Sequence, residues 1–87
     1  MVLIYLRGRE LKVGFSVSAK VGNSVTRNRV RRRMREDFRM LRPELVPGKY
    51  IFIARTGAAD APYPAMAAEM KSLLKRAKLF QAERGEA

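Results

Sequence analysis

Residues 27–42, RNRVRRRMREDFRMLR, carry eight arginines in sixteen positions. Wound as a helix at roughly 100° per residue, Val30, Leu41, Met34 and Phe38 fall within a sector of roughly 80°. That narrow apolar face needs another layer to dock on, and a sheet is the expected partner. Beside it, Arg31, Arg42, Arg35, Asn28, Arg39 and Arg32 fall between roughly 100° and 200°. A continuous basic stripe therefore runs along the buried face, with Arg27 on its border in the first turn.

Most charge runs are solvated faces, but the spacing here argues otherwise. Arg27/Arg31, Arg31/Arg35, Arg35/Arg39 and Arg29/Arg33 are like-charge i, i+4 pairs, each costing about 0.2–0.5 kcal/mol. Arg32–Glu36 and Arg33–Asp37 are expected to recover part of that cost. A helix built for stability alone alternates signs, whereas a polyanion that neutralises the stripe gives the clustering a reason. The choice of Arg over Lys points the same way, because the planar guanidinium suits phosphates and stacks on bases. Asn28, set among the arginines, can help to cap the helix or read a base edge or a 2′-hydroxyl.

The whole chain has the same bias. Its 87 residues carry 19 Lys+Arg against eight Asp+Glu, a net charge of +11, which attracts polyanions. At 47% hydrophobic residues it is not a disordered tail. With neither Cys nor His, it has no disulfide, thiolate nucleophile, His base or usual zinc site. There is no run of about 18 apolar residues to span a membrane. The opening MVLIYL is too short for a signal-peptide core, so a cytoplasmic location without membrane partners is expected.

One domain over 1–87 is expected, with a frayed tail from about 81. Met1–Leu6 is an apolar, β-prone run, and Arg7–Glu10 suits a hairpin turn. Leu11–Ser18 alternates, with Val13, Phe15 and Val17 on one face and Gly14, Ser16 and Ser18 on the other. Asn23 or Ser24 caps the basic helix, which runs to about Leu41 and is stopped by Pro43. Tyr50–Ala54 is apolar throughout, as in a strand buried on both faces. Pro64 opens a second helix to about Phe80, with Met66, Met70, Leu73, Leu74 and Ala77 on its apolar face. Strand, strand, helix, strand, helix makes a two-layer α+β sandwich.

The stretch Lys20-Val-Gly-Asn-Ser-Val-Thr-Arg27-Asn28-Arg29-Val-Arg-Arg32-Arg-Met-Arg35-Glu36 resembles the signature of the bacterial ribonuclease P protein subunit. The strand Val13-Gly-Phe-Ser-Val-Ser, the segment Gly48-Lys-Tyr-Ile-Phe-Ile-Ala-Arg55 and the last helix are similar too, so the likeness covers roughly residues 2–80. It implies a protein that joins ribonuclease P RNA, a catalytic RNA, and assists removal of the 5′ leader from precursor tRNA. The Mg²⁺ is required by the RNA and held mainly by it, and no cofactor or metal is assigned to the protein. The implied RNA-binding residues are Lys20, Arg27, Asn28, Arg29, Arg31, Arg32, Arg35 and Arg39. The leader would lie in a cleft on the sheet, where Tyr5, Phe15, Tyr50 and Phe52 are candidates for stacking; core packing is the competing reading for each. The resemblance also implies a left-handed β-α-β crossover, against the usual hand. Three departures stand out. The family has an N-terminal segment, including a helix with cleft-lining aromatics, before the first strand, and this chain starts after it. Ala19 replaces the first Lys of a pair, and Ser24 replaces an Ala. If both helices cover one face of the sheet, the other is left bare, and self-association, strand exchange or a repositioned last helix is expected to compensate, with a strength that depends on Tyr5, Tyr50 or Phe52.

Two other functions are weaker. A nuclease acting without RNA would need carboxylates gathered from afar, because Glu36 and Asp37 are adjacent and diverge by roughly 100° on a helix. A general RNA- or DNA-binding module without a catalytic RNA partner is the binding alternative. Lys71, Lys75, Arg76 and Lys78 form a second basic group, read as a solvated face rather than a phosphate contact.

Overall fold

The structure, a computed structural model, describes residues 1–84. Its elements are β1 (Val2–Leu6), β2 (Leu11–Val17), α1 (Ser24–Leu41), β3 (Gly48–Ala54), α2 (Tyr63–Arg76) and α3 (Gln81–Arg84). Short 3-10 turns occupy Ala19–Val21, Arg42–Glu44 and Ala58–Asp60. The three strands form one mixed sheet in the order β1-β3-β2, with β1 antiparallel and β2 parallel to β3. Both α1 and α2 pack on the same face, making the expected two-layer α+β sandwich.

The register assigns the faces. Tyr5 lies opposite Tyr50 and Phe15 opposite Phe52, so Leu3, Tyr5, Val13, Phe15, Val17, Tyr50 and Phe52 face the helices. There they meet Val30, Met34 and Phe38 of α1 and Met66, Met70 and Leu74 of α2 in one buried core. The apolar sector read from the helical wheel is thus the buried face of α1, with Leu41 half-buried at its end. Asn23 is the N-cap, its Oδ1 accepting from the Thr26 N–H at 2.9 Å.

Four expectations need correction. Arg7–Glu10 does not close a hairpin: β1 and β2 do not pair, and β3 lies between them. β3 is buried on one face only; Lys49 is exposed and Ile51 and Ile53 half-buried on the other, because both helices cover the same side. The second helix ends at Arg76, not Phe80. Lys78 takes a left-handed φ of 58°, which turns the chain so that Leu79 enters the core and its carbonyl accepts from the Val46 N–H at 3.0 Å. The tail is not frayed at 81: Gln81–Arg84 is helical, and the Gln81 Nε2 donates to the Leu45 carbonyl at 2.8 Å. The rest of the expected tail, 85–87, lies outside the described residues.

The outer face of the sheet carries Val2, Ile4 and Leu6 of β1, Ile51 and Ile53 of β3, and Gly14 and Ser16 of β2. Lys12 and Lys49 stand side by side at one end. Among the described residues no helix covers this face, and Ile4 and Leu6 are exposed on it. No described helix is long and apolar enough to cross a membrane.

Candidate nucleic-acid interface

The interface begins where β2 ends. Ser18 Oγ accepts from the Lys20 N–H at 3.2 Å and starts the 3-10 turn that leaves Lys20 exposed just ahead of α1. Along α1, Asn28, Arg29, Arg32, Arg35 and Arg39 are exposed, while Arg27 and Arg31 are half-buried. The Asn28 Oδ1 accepts from Arg31 NH1 at 2.8 Å, so this side chain orients an arginine of the stripe from one turn away. Its amide nitrogen stays available as a donor.

The electrostatics are one-sided. Among the described residues the sole salt bridge joins the Met1 α-amine to Glu69 at 2.7 Å. Neither Arg32–Glu36 nor Arg33–Asp37 closes as an ion pair, so the expected recovery of repulsion is absent. Among the described residues no carboxylate neutralises the stripe by an ion pair. Arg27 Nε is buried without a hydrogen-bond partner. Arg42 is directed elsewhere, its NH2 meeting the Leu11 carbonyl at 3.4 Å.

Of the four aromatics considered for stacking on a leader, none stands on the open face. Tyr50 and Phe52 are 0% exposed. Tyr5 and Phe15 are half-buried on the helix side, edge-on to Tyr50 at 5.0 Å and stacked on Phe52 at 6.0 Å respectively. The core reading holds for all four, because strand parity puts them with the helices.

Arg33 was not among the expected site residues, and it behaves unlike its neighbours. It is only 8% exposed, its NH2 donates to the Ala61 carbonyl at 3.1 Å, and its guanidinium lies 4.0 Å from the centroid of the Tyr63 ring. Its wheel position, on the flank of the core sector away from the stripe and just beyond Asp37, is the signal that places it under the β3–α2 connection. Asp37 beside it has a pKa above the ordinary aspartate value, chiefly because burial disfavours the charge; Arg33 partly opposes this and Glu36 adds to it. Among the described residues no group of three acidic side chains comes together that could hold a metal ion.

Fold and site define a small α+β protein that presents an unpaired arginine stripe on its first helix. The family profile described as Ribonuclease P matches residues 1–78, and the chain belongs to that family. It is 42% identical over 83 residues to the ribonuclease P protein component of Symbiobacterium thermophilum, covering 94% of this chain and 72% of the relative. It is 44% identical over 70 residues to that of an Exiguobacterium species, covering 80% and 61%. A solved Staphylococcus aureus RNase P protein, a mutant with defective mRNA degradation activity, superposes with a TM-score of 0.81 at 31% identity, covering 90% of this chain and 69% of that one. The chain thus spans between 61% and 72% of the length of these curated relatives.

Proposed function

We propose that this chain acts as the protein subunit of ribonuclease P, binding the catalytic RNA through the α1 stripe and assisting removal of the 5′ leader from precursor tRNA. The observation that carries the reading is a row of arginines without ion pairs among the described residues, in a chain that belongs to this family. Arg31, Arg32, Arg35 and Arg39 bind RNA phosphates, Lys20 and Arg27 extend the footprint toward the helix start, and Arg29 flanks it. Asn28 holds Arg31 and offers its amide to a base edge or sugar hydroxyl.

The protein contributes position and charge, not bond-breaking groups. Glu36 and Asp37, the one adjacent acidic pair on α1, stand beside Arg32 and Arg33, which fits a cation poorly. In this reading the Mg²⁺ belongs to the RNA, and the cytoplasm is where such a complex works. The single-stranded leader has the outer sheet face available, where Lys12 and Lys49 flank apolar side chains. In the absence of RNA, the same face supports self-association.

Reconstitution with a bacterial ribonuclease P RNA at low Mg²⁺ tests the reading. The protein should stimulate precursor tRNA cleavage, and should cleave nothing alone. Robust cleavage by RNA-free, nuclease-free protein would refute the subunit role, and a failure to stimulate would leave the general RNA-binding module.

A further inference from the structure

A hollow of about 280 Å³ lies at the junction of α1 with the start of α2, lined by Arg32, Arg33, Glu36, Asp37 and Tyr63. Arg32 alone is shared with the arginine stripe; on the α1 wheel Arg33 and Asp37 fall on the opposite side of the core sector from Arg31 and Arg35. We propose that this hollow is a nucleobase pocket that takes one unpaired guanine of an RNA, stacked on the Arg33–Tyr63 pair and held at its Watson–Crick edge by the Asp37 and Glu36 carboxylates. The inference rests on the RNA-binding reading above.

Three observations carry it. First, Tyr63 keeps 68% of its surface exposed although its ring is fixed against a guanidinium 4.0 Å from its centroid. Exposed aromatic rings and arginine planes are the surfaces on which unstacked RNA bases lie. Second, the anchor is built in advance. Arg33 is 8% exposed and tied to the Ala61 carbonyl, and its Nε is buried without a partner. The platform therefore loses little freedom when a base arrives. Third, Glu36 and Asp37 line the hollow with neither a side-chain hydrogen bond nor an ion pair among the described residues.

The carboxylates select the base. An ionised carboxylate only accepts hydrogen bonds. Guanine alone among the four RNA bases presents two adjacent donors, N1–H and the N2 amino group, on its Watson–Crick edge. Adenine and cytosine set a donor beside an acceptor, and uracil sets one donor between two acceptors. Arg32 at the rim offsets the negative charge and can meet the nucleotide's phosphate. The volume falls just under the ~300–1,000 Å³ of small-molecule pockets, which suits a single base.

The test uses the whole chain with two pentaribonucleotides, AAGAA and AAAAA, and with AAIAA, whose inosine lacks the N2 amino group. AAGAA should bind about tenfold more tightly than AAAAA, the discrimination expected of one bidentate hydrogen-bonded base edge, with AAIAA between them. Tyr63→Ala should remove most of that gain and Tyr63→Phe should keep it. Asp37→Asn should bring the ratio of AAGAA to AAAAA affinity close to one. Equal affinity for AAGAA and AAAAA, or a guanine preference untouched by both Tyr63→Ala and Asp37→Asn, overturns the pocket. Should Tyr63→Ala melt early by circular dichroism, the guanine-to-adenine ratio in the parent chain and in Asp37→Asn decides alone. Failure of the broader reading looks different: Arg31→Ala and Arg35→Ala would then leave binding of ribonuclease P RNA unchanged.

Discussion

The ring of Tyr5 fills the space into which a β-carbon on Gly48 would project: such an atom would lie 2.6 Å from Tyr5 Cζ. Gly48 also takes a φ of 139°, which L side chains rarely adopt. The Tyr5 hydroxyl donates to the Pro47 carbonyl, so β1 is clamped over the entry to β3. Gly48→Ala should therefore cost about 2–4 kcal/mol, combining backbone strain of order 1–3 kcal/mol with displacement of the ring. Tyr5→Phe should cost only about 0.5–1.5 kcal/mol, the worth of the hydroxyl's bond. Denaturant melts of the two single variants and of Gly48→Ala in a Tyr5→Ala background check the pairing. In that background the glycine substitution should cost less, because the ring is gone.

The proposed role of the α1 stripe requires an RNA affinity that depends on salt. If the stripe neutralises about five or six phosphates, the slope of log K against log salt should be about −4 to −5. Arg31→Ala and Arg35→Ala should each flatten it by about one unit. Arg33→Ala should leave the slope nearly unchanged and instead lower stability, because that guanidinium is held by the Ala61 carbonyl and the Tyr63 ring. Filter binding across salt concentrations separates the two kinds of arginine. A slope that falls with Arg33→Ala and not with Arg31→Ala or Arg35→Ala would move the binding face.

Periodicity was enough to read the layers. Val30, Met34 and Phe38 on one side of a helix and the alternation of Val13, Phe15 and Val17 name the core correctly. What it missed depends on pairing across the sheet. Apolar Ile51 and Ile53 look as buried as Tyr50 and Phe52 in sequence, and only the one-sided placement of both helices sets them apart. A polar stretch such as Arg7–Glu10 looks the same whether it closes a hairpin or crosses over an intervening strand. Arg33 looked like another arginine of a basic run, because its carbonyl partner Ala61 is 28 residues away. The stripe itself was legible, since it needs no information beyond the helical repeat.

The outer sheet face predicts self-association of the RNA-free protein. Val2, Ile4, Leu6, Ile51 and Ile53 lie together there, and each large apolar side chain left in water forgoes about 1.5–3 kcal/mol of burial. The side chains that matter are these, not Tyr5, Tyr50 or Phe52, which face the helices. Charge repulsion between chains of net charge +11 opposes association, so the apparent mass in sedimentation should rise with salt, opposite to RNA affinity. Ile4→Lys should return the protein to a monomer. A monomer at every salt and protein concentration would count against this.

Asp37 links stability to pH. Burial raises its pKa above the ordinary aspartate value, so the folded state holds this proton more tightly than the unfolded chain does. The group's contribution is then fully favourable below the unfolded pKa and is lost as pH rises through the folded one. At neutral pH the ionised, half-buried carboxylate is a liability that an isosteric amide lacks. Asp37→Asn should accordingly melt higher than the parent chain at pH 7, and the difference should vanish well below the ordinary carboxylate range. The comparison belongs in about 0.5 M salt, where screening over roughly 4 Å mutes the extra repulsion from removing an anion from a basic chain. If the same substitution also abolishes the guanine preference, stability and recognition pull in opposite directions at this position, as expected where a charge is kept for a ligand. An Asp37→Asn variant that melts lower at pH 7 would instead show that Arg33 already outweighs the cost of burial.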